Sequence, residues 1–188
     1  MTDDTVSGVV VRLIEVLEAS GEVYAFGGAI ALAAWSEPRA TADVDVVLWV
    51  RDEPEDIDRV IDLVGSAGVA IDRGTAHALV RSRGMFDGMA GVVRVDVFVP
   101  SIPFYVEAEA RRVATTIAGK ATWVHSAEVL SVFKLLFFRP KDLIDVERML
   151  QVQGASFDRG FVHTALTEML GEDDRITKWD ELCQRNPV

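Results

Sequence analysis

The chain has one cysteine, Cys183, among 188 residues. One thiol makes no internal disulfide and no cysteine-built metal site, so a reducing cytoplasm is the expected setting. Cys183 itself is read as an ordinary residue of a terminal helix. Long apolar runs are missing too. The stretch Ala29 to Trp35 is far too short to cross a bilayer, so no membrane partner is expected. The opening Met-Thr-Asp-Asp lacks the basic start and apolar core of a secretory signal. Histidine is scarce, and His77, His125 and His163 fall at no ligand spacing, so surface or packing roles are expected for all three. No Gly-x-Ser-x-Gly, Cys-x-x-Cys or Walker-type loop occurs, which removes the commonest serine-hydrolase, thiol-redox and P-loop readings. There is no internal repeat, low-complexity stretch or long linker. Positive charge is also short, with 19 Lys and Arg against 30 Asp and Glu. A net charge of −11 argues against indiscriminate nucleic-acid binding, which needs many phosphate contacts.

Apolar residues are plentiful, at 49% of the chain, so a sizeable core can be buried. Val9, Leu13, Val16 and Leu17 recur at helical spacing over 6–17, with Gly21 as the stop. A short strand over 23–26 ends at Gly27-Gly28, and a helix rich in small residues follows over 29–35. The valine-rich segment 44–50 reads as a buried strand. Ile57, Val60, Ile61 and Val64 mark the next helix. Segments 70–71 and 78–81 are weaker strand candidates, and 92–99 is a β-branched strand closed by Pro100. A short helix around 107–111 precedes one or two short strands. After His125 the texture becomes helical: Ser126 caps a helix over 129–138, Pro140 opens another through Leu150, and 157–170 and 173–183 complete a helical tail. The order predicts an α+β fold, with a central mixed sheet flanked by helices in a catalytic core over 1–124 and a C-terminal helical part over 125–188 packed on it.

The informative stretch runs from Phe26 to Leu48. It reads strand, Gly27-Gly28, helix, then Arg39-Ala-Thr41-Ala-Asp43-Val-Asp45 entering a strand. Residues two apart on a strand share a face, so Asp43 and Asp45 present two carboxylates side by side. Joint ionisation at that distance is disfavoured unless a cation sits between them, and magnesium, which takes one or two carboxylates with waters and substrate phosphates, fits. Asp96, in another apolar strand, is a candidate third carboxylate. Two metals bracketing attacking and leaving oxygens are common in nucleotidyl transfer, with a carboxylate free to take the acceptor's proton. Gly27-Gly28 at a helix start suits close approach of a phosphate; alone it would equally be a tight turn.

Gly27, Gly28, Ala29, Arg39, Thr41, Asp43 and Asp45 together resemble the motif of the nucleotidyltransferase superfamily with the DNA polymerase β-like fold. Within it, the AbiEii-like branch and the MenT-type tRNA nucleotidyltransferase toxins look most similar. That branch has a later helical motif resembling Lys134-Leu-Leu-x-x-Arg139-x-Lys141-Asp142-x-x-Asp145. The resemblance spans about residues 22–150. It implies triphosphate contacts from Gly27, Gly28 and Lys134; Arg39, Thr41 and Lys141 are candidate nucleotide contacts at the same site. It implies magnesium, two ions with manganese as a substitute, on Asp43, Asp45 and Asp96, and a place for Asp145 in or beside the site. The implied reaction moves an NMP from an NTP to an acceptor hydroxyl.

Each residue also has a plainer reading. Asp43 and Asp45 could end a solvated strand. Asp96 could pair with Arg94. Arg39 and Thr41 could only brace the loop. Lys141, Asp142 and Asp145 could form a helix salt-bridge network. The acceptor stays open as well. The toxin branch implies a tRNA 3′ end and an antitoxin partner, and the basic stretch from Arg111 to Arg148 agrees modestly. The acidic total favours a protein or small-molecule acceptor of the antibiotic type. A degenerate, non-catalytic nucleotide-binding scaffold is the third reading.

Overall fold

The computed structural model describes residues 4–187. Helix α1 (Val6–Ser20) buries Val9, Leu13 and Leu17 and stops at Gly21, whose left-handed backbone (φ 72°) suits glycine. Strand β1 (Tyr24–Phe26), helix α2 (Gly28–Trp35) and strand β2 (Asp43–Leu48) follow. Then come α3 (Pro54–Ser66), α4 (Arg73–Arg83), β3 (Met85–Ala90), β4 (Val93–Phe98), α5 (Tyr105–Ala110), β5 (Arg112–Ile117) and β6 (Lys120–His125). From there the described chain is helical: α6 (Ala127–Phe137), α7 (Pro140–Gln153), a short 3-10 turn, α8 (Arg159–Leu170) and α9 (Asp174–Arg185).

The six strands form one mixed sheet in the order β3-β4-β2-β1-β6-β5. β2 lies between β1, antiparallel to it, and β4, parallel to it. The pairing of β2 with β4 sets Asp43 opposite Arg94, and Asp45 opposite Asp96. Alternation does the rest. Val44, Val46, Val95 and Val97 point into the buried core, and Asp43, Asp45 and Asp96 point to the other face. α6 packs against α2, α7 and α8, closing over that face.

One of the two weaker strand candidates is a helix. Segment 78–81 lies inside α4, whose start is fixed by the Asp72 carboxylate accepting from the Thr75 N–H at 2.8 Å. Ala76 and Val80, four apart, give it one buried face, and Gly84 ends it in the left-handed conformation (φ 65°). Ala70 makes only an isolated bridge to Met89, and the strand beside it is β3, whose Met-Phe-Asp-Gly-Met-Ala carries no strong β signal.

Candidate active site

The face holding the three aspartates opens into a cavity of about 330 Å³ between the sheet and α6. Gly27, Gly28, Arg39, Thr41, Asp43, Asp45, Asp96, Lys134 and Lys141 all line it. Asp145 lies just behind, at the end of an ion-pair network that starts on Lys134.

Gly28 is there for a steric reason. Its φ is 51°, and a Cβ would overlap the Asp45 carboxylate. Gly27 precedes α2 and donates its N–H to the Asp45 carbonyl at 2.9 Å. The first turn of α2 therefore meets Asp45 edge on, with first-turn N–H groups that no helical carbonyl accepts. Thr41 braces the strand entry, its hydroxyl donating to the Asp43 carbonyl at 3.0 Å and accepting from the Asp43 N–H at 3.2 Å.

The carboxylates are short of positive charge. Burial, then the charges of Asp96 and Asp43, push the Asp45 carboxyl up to about 6 against the pull of Lys134 and Arg139. Asp96 is also raised, first by burial, although Arg94 Nε donates to its Oδ1 at 2.7 Å. The Arg94 pairing considered for Asp96 is therefore present. Among the described residues, no three histidine, cysteine or carboxylate groups converge as a ready-made metal cage. Asp43 and Asp45 share a face and make no ion pair among the described residues. That donor set fits a hard cation that takes its other ligands from water and phosphate.

Behind them the balance reverses. Lys134, buried in α6, sends Nζ to Asp145 Oδ2 at 2.7 Å and lies 3.7 Å from Asp142 Oδ1. Arg39 reaches the same carboxylate through Nε and Nη2, at 3.0 Å for the closer pair. Burial would raise the Asp145 carboxyl, but the donors from Arg39 and Lys134 hold it below the usual carboxylate range. Arg139 Nε takes Asp142 Oδ2 at 2.6 Å, and that carboxylate also accepts the Arg139 N–H, capping α7. The helix network considered for Lys141 is corrected accordingly. Asp142 and Asp145 pair with Arg139, Lys134 and Arg39, while Lys141 makes no ion pair among the described residues.

His125 is the residue that sequence reasoning passed over. At the end of β6 it lines the cavity, 2% exposed, beside Gly27. Burial, with Arg112 nearby, brings its imidazole down to about 3, so it is neutral. No ligand spacing marks it, because its neighbours Tyr105 and Phe133 come from distant segments.

The fold has precedents. The antibiotic-resistance factor ANT(2″)-Ia, in solution, aligns with a TM-score of 0.62 at 13% identity, over 87% of this chain and 92% of that one. A further ANT(2″)-Ia structure contains adenylyl-2″-tobramycin. The lincosamide antibiotic adenylyltransferase LnuA, lincomycin-bound, aligns at 0.54 and 12% identity, over 80% and 99%. The chain has the nucleotidyltransferase fold. An antigenic nucleotidyltransferase-like protein from Paracoccidioides brasiliensis shares it at 0.51 and 19% identity, over 96% and 94%. No family model and no curated protein matches the sequence. The likeness to these structures shows the fold, and the AbiEii-like and MenT-type branch rests on the sequence resemblance alone.

Proposed function

We propose that the chain is a magnesium-dependent nucleotidyltransferase that moves an NMP from an NTP to an acceptor hydroxyl. The observation that carries this is the register of β2 and β4. It sets Asp45 beside Asp96, with Asp43 one pleat along, facing the glycine-led start of α2. Asp43 and Asp45 would hold the metal, with manganese as a substitute. A bound divalent cation supplies the missing positive charge and polarises the phosphoryl oxygens.

The chain's own groups do the remaining work. The N–H groups of the first α2 turn and the cations Lys134 and Lys141 bind the triphosphate and spread its charge. Asp96 would accept the acceptor's proton, its raised carboxyl supporting that role. Asp145, saturated by Lys134 and Arg39, positions those two cations rather than taking a proton.

A small-molecule acceptor is the reading with a structural observation behind it. Of the basic residues from Arg111 to Arg148, Arg112 folds onto Trp123 (4.8 Å to the ring), Lys120 pairs with Glu15, Lys134 is buried and Arg139 is held by Asp142. Arg112 and Lys134 are thereby turned inward, while Arg111, Lys120, Arg139, Lys141 and Arg148 stay exposed, the first three each beside a carboxylate. The structural neighbours bind lincomycin or carry adenylyl-tobramycin. The tRNA 3′-end reading, with an antitoxin, keeps the sequence resemblance as its support.

Calorimetric titration of each NTP with magnesium tests the reading, on the parent chain and on Asp43→Ala/Asp45→Ala. Binding that needs magnesium and is lost in the double variant is expected, with transfer falling about 10³-fold, equivalent to several kcal/mol of charge stabilisation. Failure of the parent chain to bind any NTP sinks the enzyme reading in favour of a non-catalytic scaffold. Labelled NTP offered with tRNA, an aminoglycoside and a lincosamide then identifies the acceptor class.

A further inference from the structure

Strand β2 carries a gradient across the cavity. Asp43 and Asp45 come first, then Val47 on the same face. Beyond Asp45 the lining changes from ionic to uncharged: Val47, Phe98, Tyr105, Leu130, Phe133 and His125. Phe133 stands at the centre of this chamber, with the Tyr105 and His125 rings each 5.2 Å away. Trp49 backs both, at 6.5 Å and 6.0 Å, and its Nε1 donates to the Tyr105 carbonyl at 2.8 Å, fixing that ring's backbone.

One polar atom in this chamber is buried without a partner among the described residues. His125 Nδ1 is sealed from solvent with no hydrogen bond among the described residues. Its other edge faces the Gly27 wall, where a Cβ would stand 3.5 Å from Cδ2 and 3.9 Å from Nε2. Tyr105 is 6% exposed, and burial alone pushes its phenol up to about 12, with no hydrogen bond contributing. A buried imidazole nitrogen without a partner is costly, and the Tyr105 hydroxyl makes no side-chain hydrogen bond that would compete with a ligand. No carboxylate lines this end, so a polycationic ring gains nothing there. The opposite end holds Lys134, Arg39 and Lys141.

We propose that the aromatic chamber around Tyr105, Phe133 and His125 is the subsite for the donor's nucleobase, and that Tyr105 and His125 determine which base is accepted. The inference rests on the nucleotidyltransferase reading above and deepens it. A nucleotide matches the cavity's polarity: an anionic tail for the cation end, and a planar, neutral, heteroatom-bearing ring one ribose away for the aromatic end. The ring stacks on Phe133, and the phenol and imidazole bond its edge.

The test is calorimetric affinity for the four NTPs and for inorganic tripolyphosphate, with magnesium. The proteins are the parent, Tyr105→Phe, which deletes one hydroxyl, and His125→Phe, which keeps a ring in place. The parent is expected to prefer one base. Each variant should lose about three- to tenfold in affinity for that NTP and flatten the preference, with tripolyphosphate binding unchanged. Near-ultraviolet circular dichroism shows that each variant is folded, and should His125→Phe fail it, Tyr105→Phe decides alone. Preference and affinity that stay at parental values overturn the chamber assignment while leaving the transferase reading intact. A variant that changes only the acceptor's KM also overturns it, because the chamber then belongs to the acceptor. No binding of any NTP by the parent removes both readings together.

Discussion

Two acidic clusters lie within one cavity's reach, and they are built on opposite terms. Asp142 and Asp145, each 1% exposed, are matched by Lys134, Arg39 and Arg139. Among the described residues, Asp43, Asp45 and Asp96 have one ion-pair partner, Arg94 on the outer side of Asp96, and Asp45 sits with its carboxyl raised to about 6 against the weaker pull of Lys134 and Arg139. Both sets are aspartates in apolar surroundings, so composition does not separate them. The difference is whether the fold itself supplies the countercharge. A cluster the fold neutralises is architecture that holds cations in place. A cluster left short of charge is where an external cation gains most.

The sharpest way to break the comparison is to make the satisfied cluster resemble the unsatisfied one. Lys134→Met leaves two buried carboxylates with reduced compensation, and urea unfolding at pH 7.5 should show a loss of about 3–5 kcal/mol. A loss below 1 kcal/mol would mean the cluster was never dependent on its lysine.

The reverse experiment relieves the unsatisfied cluster. Asp45 has a folded carboxyl raised above its unfolded value of 3.8, so its ionised form costs stability. That cost is fully present above pH 6, shrinks as pH falls, and is absent below the unfolded value. Asp45→Asn should therefore stabilise the magnesium-free protein by about 2–3 kcal/mol at pH 8, with the gain vanishing toward pH 3.5. Thermal unfolding across that range reads it, and a destabilised variant at pH 8 would contradict the charge shortage. Magnesium should raise the melting temperature of the parent at pH 8 and much less at pH 5.

Gly28→Ala probes the wall between helix and carboxylate. A residue at φ 51° whose Cβ meets Asp45 must displace that carboxylate. A stability loss of about 1–2 kcal/mol should accompany loss of magnesium-dependent NTP binding, read by calorimetry. The smallest effect belongs to Arg94→Ala. Its side chain is 48% exposed, so stability should move by no more than about 1 kcal/mol. The Asp96 carboxyl should rise further, seen as an upward move of the acidic limb of the pH–rate profile.

Much of this was legible in the chain. The period-two placement of Asp43 and Asp45, the glycine pair before a helix and the polar breaks between valine runs express local rules. α2 and β2 follow them, and α6 follows its Ser126 cap, where the hydroxyl accepts from the Val129 N–H at 3.2 Å. The short apolar patch 78–81 mimics a strand, whereas the Asp72 cap and the Ala76–Val80 face settle a helix once β3 is available to pack against, and Ala70 keeps a single bridge to Met89. The partners of Asp145 were illegible for another reason: Arg39 is 106 residues away, so no helical spacing shows it.

The sequence by itself determined which carboxylates share a face and where a glycine must stand, because strand alternation and backbone sterics act within a few residues. Only the tertiary structure decided that Asp45 lacks a countercharge while Asp145 has two, and that His125 joins Tyr105 and Phe133 in an uncharged chamber. Charge balance and desolvation depend on every group within several ångströms, and those groups come from strands and helices that sequence spacing does not connect.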